Sequence, residues 1–99
     1  MKFEWDPEKA KANYRKHGIG FQEAYSVFKD PLAQIFDDEE HSKTEHREII
    51  VGFSKLSRLL LVVFVERRQD VVRIISARKA TRQEKEDYEE NAHKQTPQD

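Results

Sequence analysis

Seven consecutive apolar residues, Leu59 to Val65, set the first constraint on the fold. The run is too short to cross a bilayer and is rich in Val and Leu, so it reads as a strand buried on both faces. Arg67-Arg68-Gln69-Asp70 is a polar break of hairpin length, although no glycine marks its turn. A second strand follows, Val71 to Arg78, with Arg73 and Arg78 set into its apolar run. Thr81-Arg82-Gln83-Glu84 matches a capping box, which predicts a helix from there to about His93. Two central strands thus deliver guanidinium groups to one end of a sheet, beside a helix N-terminus, where an anion is well held.

The charge count hides this feature until the chain is divided. The whole sequence has 18 Lys+Arg against 19 Asp+Glu, a net charge of -1 that by itself argues against a polyanionic partner. Residues 55–82, however, carry eight basic side chains and two acidic ones, a local charge of +6. Residues 1–54 sum to -3 and residues 83–99 to -4. Basic charge is therefore concentrated in the segment expected to be most rigid, as a polyanion site requires. The alternative is that these arginines form surface ion pairs with Glu45, Glu48, Glu66 or Asp70.

The rest of the chain supplies a frame for that segment. Met1 to Trp5 alternates apolar and polar residues as a short edge strand does. Asp6-Pro7 starts a helix that ends at His17-Gly18, with Ala10, Asn13, Tyr14 and His17 on one face. Phe21 to Phe28 forms a second helix, closed by Asp30-Pro31, with Phe21, Ala24, Tyr25 and Phe28 inward. Leu32 to Phe36 and Arg47 to Phe53 read as strands, the second placing Arg47, Ile49, Val51 and Phe53 on one face. The order of elements is β-α-α-β-β-β-β-α. The expected fold class is α+β, a mostly antiparallel sheet of about four strands with helices on one face and the other face partly open. Ninety-nine residues make one domain over 1–93, followed by a disordered tail over 94–99.

Composition narrows the chemistry. There is no cysteine, so neither a disulfide nor a thiolate metal site is available, and a reducing compartment is compatible. No secretory signal opens the chain and no apolar run spans a bilayer, which leads to the expectation of a soluble intracellular protein. Asp37-Asp38-Glu39-Glu40 lacks the glycine and alternating spacing of a calcium loop. His41 and His46 are five residues apart at a loop-to-strand junction, a spacing with no defined ligand geometry. No metal is expected.

Three blocks, FEWDPEKAKANYRKHGIGFQEA, HSKTEHREIIVGFSKLSRLLLVVFVER and RIISARKATRQEKEDYE, together resemble the BrnT family of bacterial type II toxins. The resemblance covers residues 3–89, with the blocks in the family's order. It implies a fold similar to RelE-type ribonucleases, and cleavage of RNA without a metal or other cofactor. It also implies a hetero-oligomer with a cognate antitoxin that carries a ribbon-helix-helix DNA-binding domain. Operator DNA is then reached only through that antitoxin, in the cytoplasm and away from any membrane. By position, the family's motif residues fall on Glu45 and Arg47, on Arg67, and on Arg73, Arg78 and Lys79, with Tyr88 on the closing helix. Lys43, His41 and Arg82 join Arg47 as RNA-binding candidates. The family often has Gly- or Asn-rich turns where this chain has Leu56-Ser57 and Arg68-Gln69-Asp70.

RNA cleavage from its own 2′-OH needs a proton acceptor, cations for the phosphorane and a donor to the 5′-oxygen. Arginine suits the second role because its planar fork matches phosphate. Glu45, His41 and His46 are the candidate bases, and Lys79 or Tyr88 with a depressed pKa the candidate donors. Arg78, at a strand end beside the helix-opening Ala80-Thr81, is the leading candidate for charge stabilisation. Strand parity places Arg73 on the opposite face from Arg78 unless a bulge intervenes. A non-catalytic nucleic-acid binder and a protein-interaction module using the same basic face remain the alternatives.

Overall fold

The computed structural model describes residues 1–41, 45–68 and 70–95, without the side chains of His41, Lys94 and Gln95. Its strands are β1 (Lys2–Glu4), β2 (Gln34–Asp37), β3 (Glu48–Phe53), β4 (Leu59–Arg67) and β5 (Val71–Lys79). Its helices are α1 (Pro7–His17), α2 (Phe21–Ser26) and α3 (Arg82–Gln95), with short 3-10 turns at Val27–Lys29 and Glu39–His41. The strands form one sheet in the order β1-β5-β4-β3-β2. The apolar run in β4 lies between β3 and β5 and is buried from Leu59 to Val65 save for half-buried Val63. β1 brings the sheet to five strands by pairing parallel with β5; the other pairs are antiparallel.

Two faces of unequal size follow. Against α1 and α2 lies a core of Ile19, Phe21, Ala24, Val27, Ile50, Leu60, Val62, Phe64, Val72, Ile74 and Ala77. Burying these side chains is the main stabilising term, at roughly 1.5–3 kcal/mol for each large aliphatic. Gly52 lets β3 pass beneath the Val27–Lys29 turn, since a Cβ there would come within 3.0 Å of both Ala33 Cβ and Asp30 Oδ2. The expectation that helices cover one face is corrected by α3, which packs on the other. Its Tyr88 joins Val51, Leu59 and Leu61 in a small second core, bordered by Ile49, Val63, Ala80 and Ala92. Tyr88 and Ala92, the two apolar residues of α3, are four apart in the sequence, but nothing local tells which face of the sheet receives them.

Helix ends follow the local chemistry. Asp6 Oδ1 accepts the Glu8 N–H at 2.9 Å, and Gly18 closes α1 at φ 72°, donating to the Tyr14 carbonyl at 2.8 Å. Tyr14, expected inward, is exposed; Asn13 takes the buried position. The β4–β5 turn needs no glycine because Asp70 itself adopts φ 65°, a conformation that Asp tolerates better than most residues. Helix α3 continues to Gln95, two residues beyond the expected end, and residues 96–99 of the proposed tail lie outside the described residues.

Buried polar side chains join these elements. Asn13 Nδ2 donates to the Ile19 and Ala77 carbonyls, both at 2.9 Å, and Oδ1 accepts the Ala77 N–H at 3.0 Å. Buried Glu23 accepts from Arg58 Nε at 2.9 Å, from Arg58 Nη2, and from the Ser54 hydroxyl at 2.7 Å. That pairing with Arg58 holds the Glu23 carboxyl below its usual range, against the opposing effect of burial. Asp30 gathers three donors: the Leu32 N–H at 2.9 Å, the Phe53 N–H at 2.8 Å and the Tyr88 hydroxyl at 2.8 Å. Among the described residues, no helix is long and apolar enough to cross a membrane.

Asn13→Ala leaves the Ala77 N–H and C=O without their side-chain partner in a dry core, and should cost roughly 2–4 kcal/mol in urea unfolding. Asp6→Ala removes only an exposed cap and should cost about 1 kcal/mol. Equal losses for the two variants would show that the Asn13 contacts are no stronger than a surface cap.

Candidate functional site

The chemistry collects on the part of the second face that α3 leaves open. Along β4 and β5 the residue pairs are Leu61 with Arg78, Val62 with Ala77 and Val63 with Ser76; then Phe64 pairs with Ile74. Ile75 is therefore an extra residue on β5, a bulge that resets the alternation of sides. Ala77, Ile74 and Val72 all face the large core, so Arg78, Ser76 and Arg73 share the opposite face. Parity alone had separated the two arginines. The bulge puts both on one surface.

β3 adds Arg47 to that surface. The Asp38 N–H donates to the Arg47 carbonyl at 2.9 Å, carrying the β2–β3 ladder one step past Glu48. A hollow of about 420 Å³ is lined by Asp38, Glu40, Arg47, Ile49, Leu61, Val63, Ser76, Arg78 and Glu84. A second, of about 510 Å³, lies over Val65 and is lined by Glu45, His46, Glu66, Arg67 and Arg68. Val63 and Val65 are alternate residues of one strand, so the two hollows adjoin along the same face.

Arg67, Arg73, Arg78 and Arg82 are each set by a carboxylate that sequence reading did not pair with them. Arg78 Nη1 and Nη2 donate to Glu84 Oε1 and Oε2 at 2.8 and 2.9 Å, a two-pronged contact at the start of α3. Glu84 Oε1 also accepts the Thr81 N–H at 2.7 Å, and Thr81 Oγ1 accepts the Glu84 N–H at 3.2 Å, so the capping box forms. Pairing with Arg78 pulls the Glu84 carboxyl down to about 2, and pairing with Glu84 raises Arg78. Arg67 and Arg73 share Glu4 of β1, at 3.8 and 3.6 Å. Arg82 lies 3.5 Å from Glu86 on the exposed side of α3. The partners expected from sequence, Glu45, Glu48, Glu66 and Asp70, are replaced here by Glu4, Glu84 and Glu86.

The remaining candidates are spread more widely. Lys79 pairs with Leu60, a residue of the large core, so it stands on the opposite side of the sheet from Arg78. Tyr88 is buried under α3, edge-on to Phe53 at 5.5 Å, and donates its hydroxyl to Asp30. The depressed pKa expected for Tyr88 is corrected: burial, then the Asp30 carboxylate, pushes the phenol up to about 12. Glu45 is exposed in the second hollow. Lys43 and the His41 side chain lie outside the described residues.

His46 has a different setting from the one its spacing suggested. Its Nε2 is 3.1 Å from Asp37 Oδ1, and Asp37 is paired across the ladder with Glu48. Ligand atoms of Asp37, His46 and Glu48 all lie within 4.8 Å of one another, so these three side chains are a grouping able to hold a metal ion. Pairing between strands creates this set, which linear spacing conceals.

A family model described as the ribonuclease toxin BrnT of type II toxin–antitoxin systems matches residues 5–84. Among solved structures, the 1.1 Å crystal structure of the Brucella abortus ribonuclease toxin BrnT is similar to this chain. The TM-score is 0.64 and the identity 25%, covering 83% of this chain and 99% of that one. No curated protein matches the sequence.

The Glu84 pKa of about 2 lies below the unfolded value of about 4.3 for Glu. Its stabilising contribution is thus complete above the unfolded value and is lost as pH falls toward 2. We expect roughly 1–2 kcal/mol at neutral pH, allowing for solvent screening of a partly exposed pair. Glu84→Gln should lower urea stability by that amount near pH 7 and converge with the parent near pH 2. A constant gap across this range would place the effect in packing instead of ionisation.

Proposed function

The chain belongs to the BrnT family of ribonuclease toxins of type II toxin–antitoxin systems, and from that premise we propose that it cleaves RNA without a metal on the arginine face of β3, β4 and β5. The observation that carries this reading is the Ile75 bulge, which brings Arg73 and Arg78 onto the face that Arg47 also borders. The family has RNA as its target and an antitoxin as its partner.

In the proposed reaction the substrate's own 2′-oxygen attacks the adjacent phosphorus, and the P–O5′ bond breaks. The 2′-OH proton passes to a carboxylate beside the arginines: Glu40 in the first hollow, or Glu45 in the second. Arg78 and Arg47 carry the charge that builds on the non-bridging oxygens, with Arg73 and Arg67 holding the flanking backbone. Guanidinium groups suit these roles because their donors are fixed in a plane and stay charged. Arg82 and Lys43 extend the contact to neighbouring phosphates. The 5′-oxygen takes its proton from solvent or from a side chain on this face. Tyr88 is tied to Asp30, and Lys79 belongs to the other side of the sheet.

The partner side of the proposal is an antitoxin with a ribbon-helix-helix DNA-binding domain that covers the arginine face in the cytoplasm. Operator DNA is contacted by the antitoxin and not by this chain. An alternative rests on the Asp37–His46–Glu48 grouping, which allows a metal-assisted cleavage. A chelator separates the two.

Purified protein free of antitoxin, incubated with a long RNA and EDTA, should release 5′-OH ends together with 2′,3′-cyclic or 3′-phosphate ends. Activity that returns only with added metal, or products with 3′-OH ends, would rule out attack by the 2′-OH without metal. Arg78→Ala should lower the rate about a hundred- to a thousandfold, as loss of one charge-stabilising donor does. Arg78→Lys should recover part of it, keeping the charge but losing the fork. An unchanged rate in Arg78→Ala would make this arginine a structural partner of Glu84.

A further inference from the structure

We propose that the Glu84 carboxylate occupies the position an RNA phosphate takes, and that substrate binding displaces it from Arg78. The inference rests on the ribonuclease reading above and adds a residue to it. The Nη1–Nη2 end of Arg78 is engaged by Glu84 at 2.8 and 2.9 Å, with Nη1 also donating to the Lys79 carbonyl at 3.2 Å, so a phosphate reaches that end of the fork only by displacing the carboxylate. The engaging group is itself an anion with two oxygens in a plane, the shape a guanidinium fork meets in a phosphodiester. One of those oxygens also takes the Thr81 N–H at 2.7 Å, so it sits on donors that stabilise an anion at the start of α3. Glu84 lines the same hollow as Arg47, Ser76 and Arg78, and the displaced carboxylate has open solvent beside it. Its side chain is already 28% exposed.

An exchange of this kind has a definite consequence. RNA that takes the Nη1–Nη2 end of the fork breaks an ion pair before it gains one, so Glu84 weakens that encounter while keeping Arg78 oriented in the free protein. Glu84 is a specificity-determining residue acting through Arg78: a ligand with a single negative oxygen cannot replace both contacts, whereas a phosphodiester can. Gln at the same position keeps the capping geometry, since its amide also reaches back to the N-cap N–H, but gives up the negative charge.

The test is binding of a short 2′-O-methyl RNA, which cannot be cleaved, to the full chain over a range of salt concentrations. Glu84→Gln should bind roughly three- to tenfold more tightly at moderate salt, with a salt slope steeper by about 0.7, the increment for one further phosphate contact on a single strand. Glu84→Asp, one methylene shorter, should shift both readings in the same direction by less and serves if the Gln variant folds poorly. Weaker binding by Glu84→Gln, or an unchanged slope, would show that the carboxylate orients Arg78 without competing for it and would overturn the inference while leaving the ribonuclease reading intact. A parent protein that neither binds this RNA nor cleaves an unmodified one would remove the reading itself.

Discussion

The side-chain amide of Asn13 holds the working strand in place. β1 pairs with the outer edge of β5 only from Val71 to Arg73, so beyond that point, among the described residues, the edge has no neighbouring strand. Ala77 sits in this uncovered stretch, and Asn13 supplies both the donor and the acceptor that a strand would have supplied. One amide therefore seals an edge that would otherwise leave the Ala77 N–H and C=O unpaired within the core. It also fixes α1 to β5 one residue away from Arg78. The carbonyl of Ile19 completes the contact and sets the path from α1 into α2.

With β5 fixed, the bulge at Ile75 decides what the strand presents. In an unbroken strand, turning Arg78 to the open face would have turned Arg73 into the apolar core, or forced Ile74 and Val72 out of it. The extra residue allows both requirements to be met. Core packing of Val72, Ile74 and Ala77 and display of Arg73, Ser76 and Arg78 are compatible only with this local break in the ladder.

Most elements could be read from local sequence because their causes are local. Asp6-Pro7 and Gly18 delimit α1, the Thr81–Glu84 box starts α3, and the Leu59–Val65 run makes the central strand. What escaped reading depends on residues far apart in the chain. Nothing near Glu23 announces Arg58, and nothing near Glu4 announces Arg67 and Arg73. The bulge carries no glycine; it is a compromise between core filling on one side and charge on the other. Tyr88 was legible as a residue of the closing helix but not as a buried donor to Asp30, because its surroundings come from β3 and the turn before β2. The arginine cluster was legible as charge, and its carboxylate partners were not.

Among the described residues the two cores differ in depth, eleven buried residues in the one facing α1 and α2 but four in the one under α3. Helix α3 makes up part of the difference with polar ties: Tyr88 to Asp30, the Gln34 amide to the Tyr88 carbonyl at 3.0 Å, and Asn91 to Gln34 at 3.2 Å. Such ties exchange readily for water once the apolar contact loosens. In amide exchange, α3 should form a cooperative unit that opens at lower free energy than the sheet. Arg47, Arg73 and Arg78 belong to the sheet side of that division, while Glu84 belongs to the helix. Partial opening would thus separate the anion from the cations without unfolding the strands that carry them.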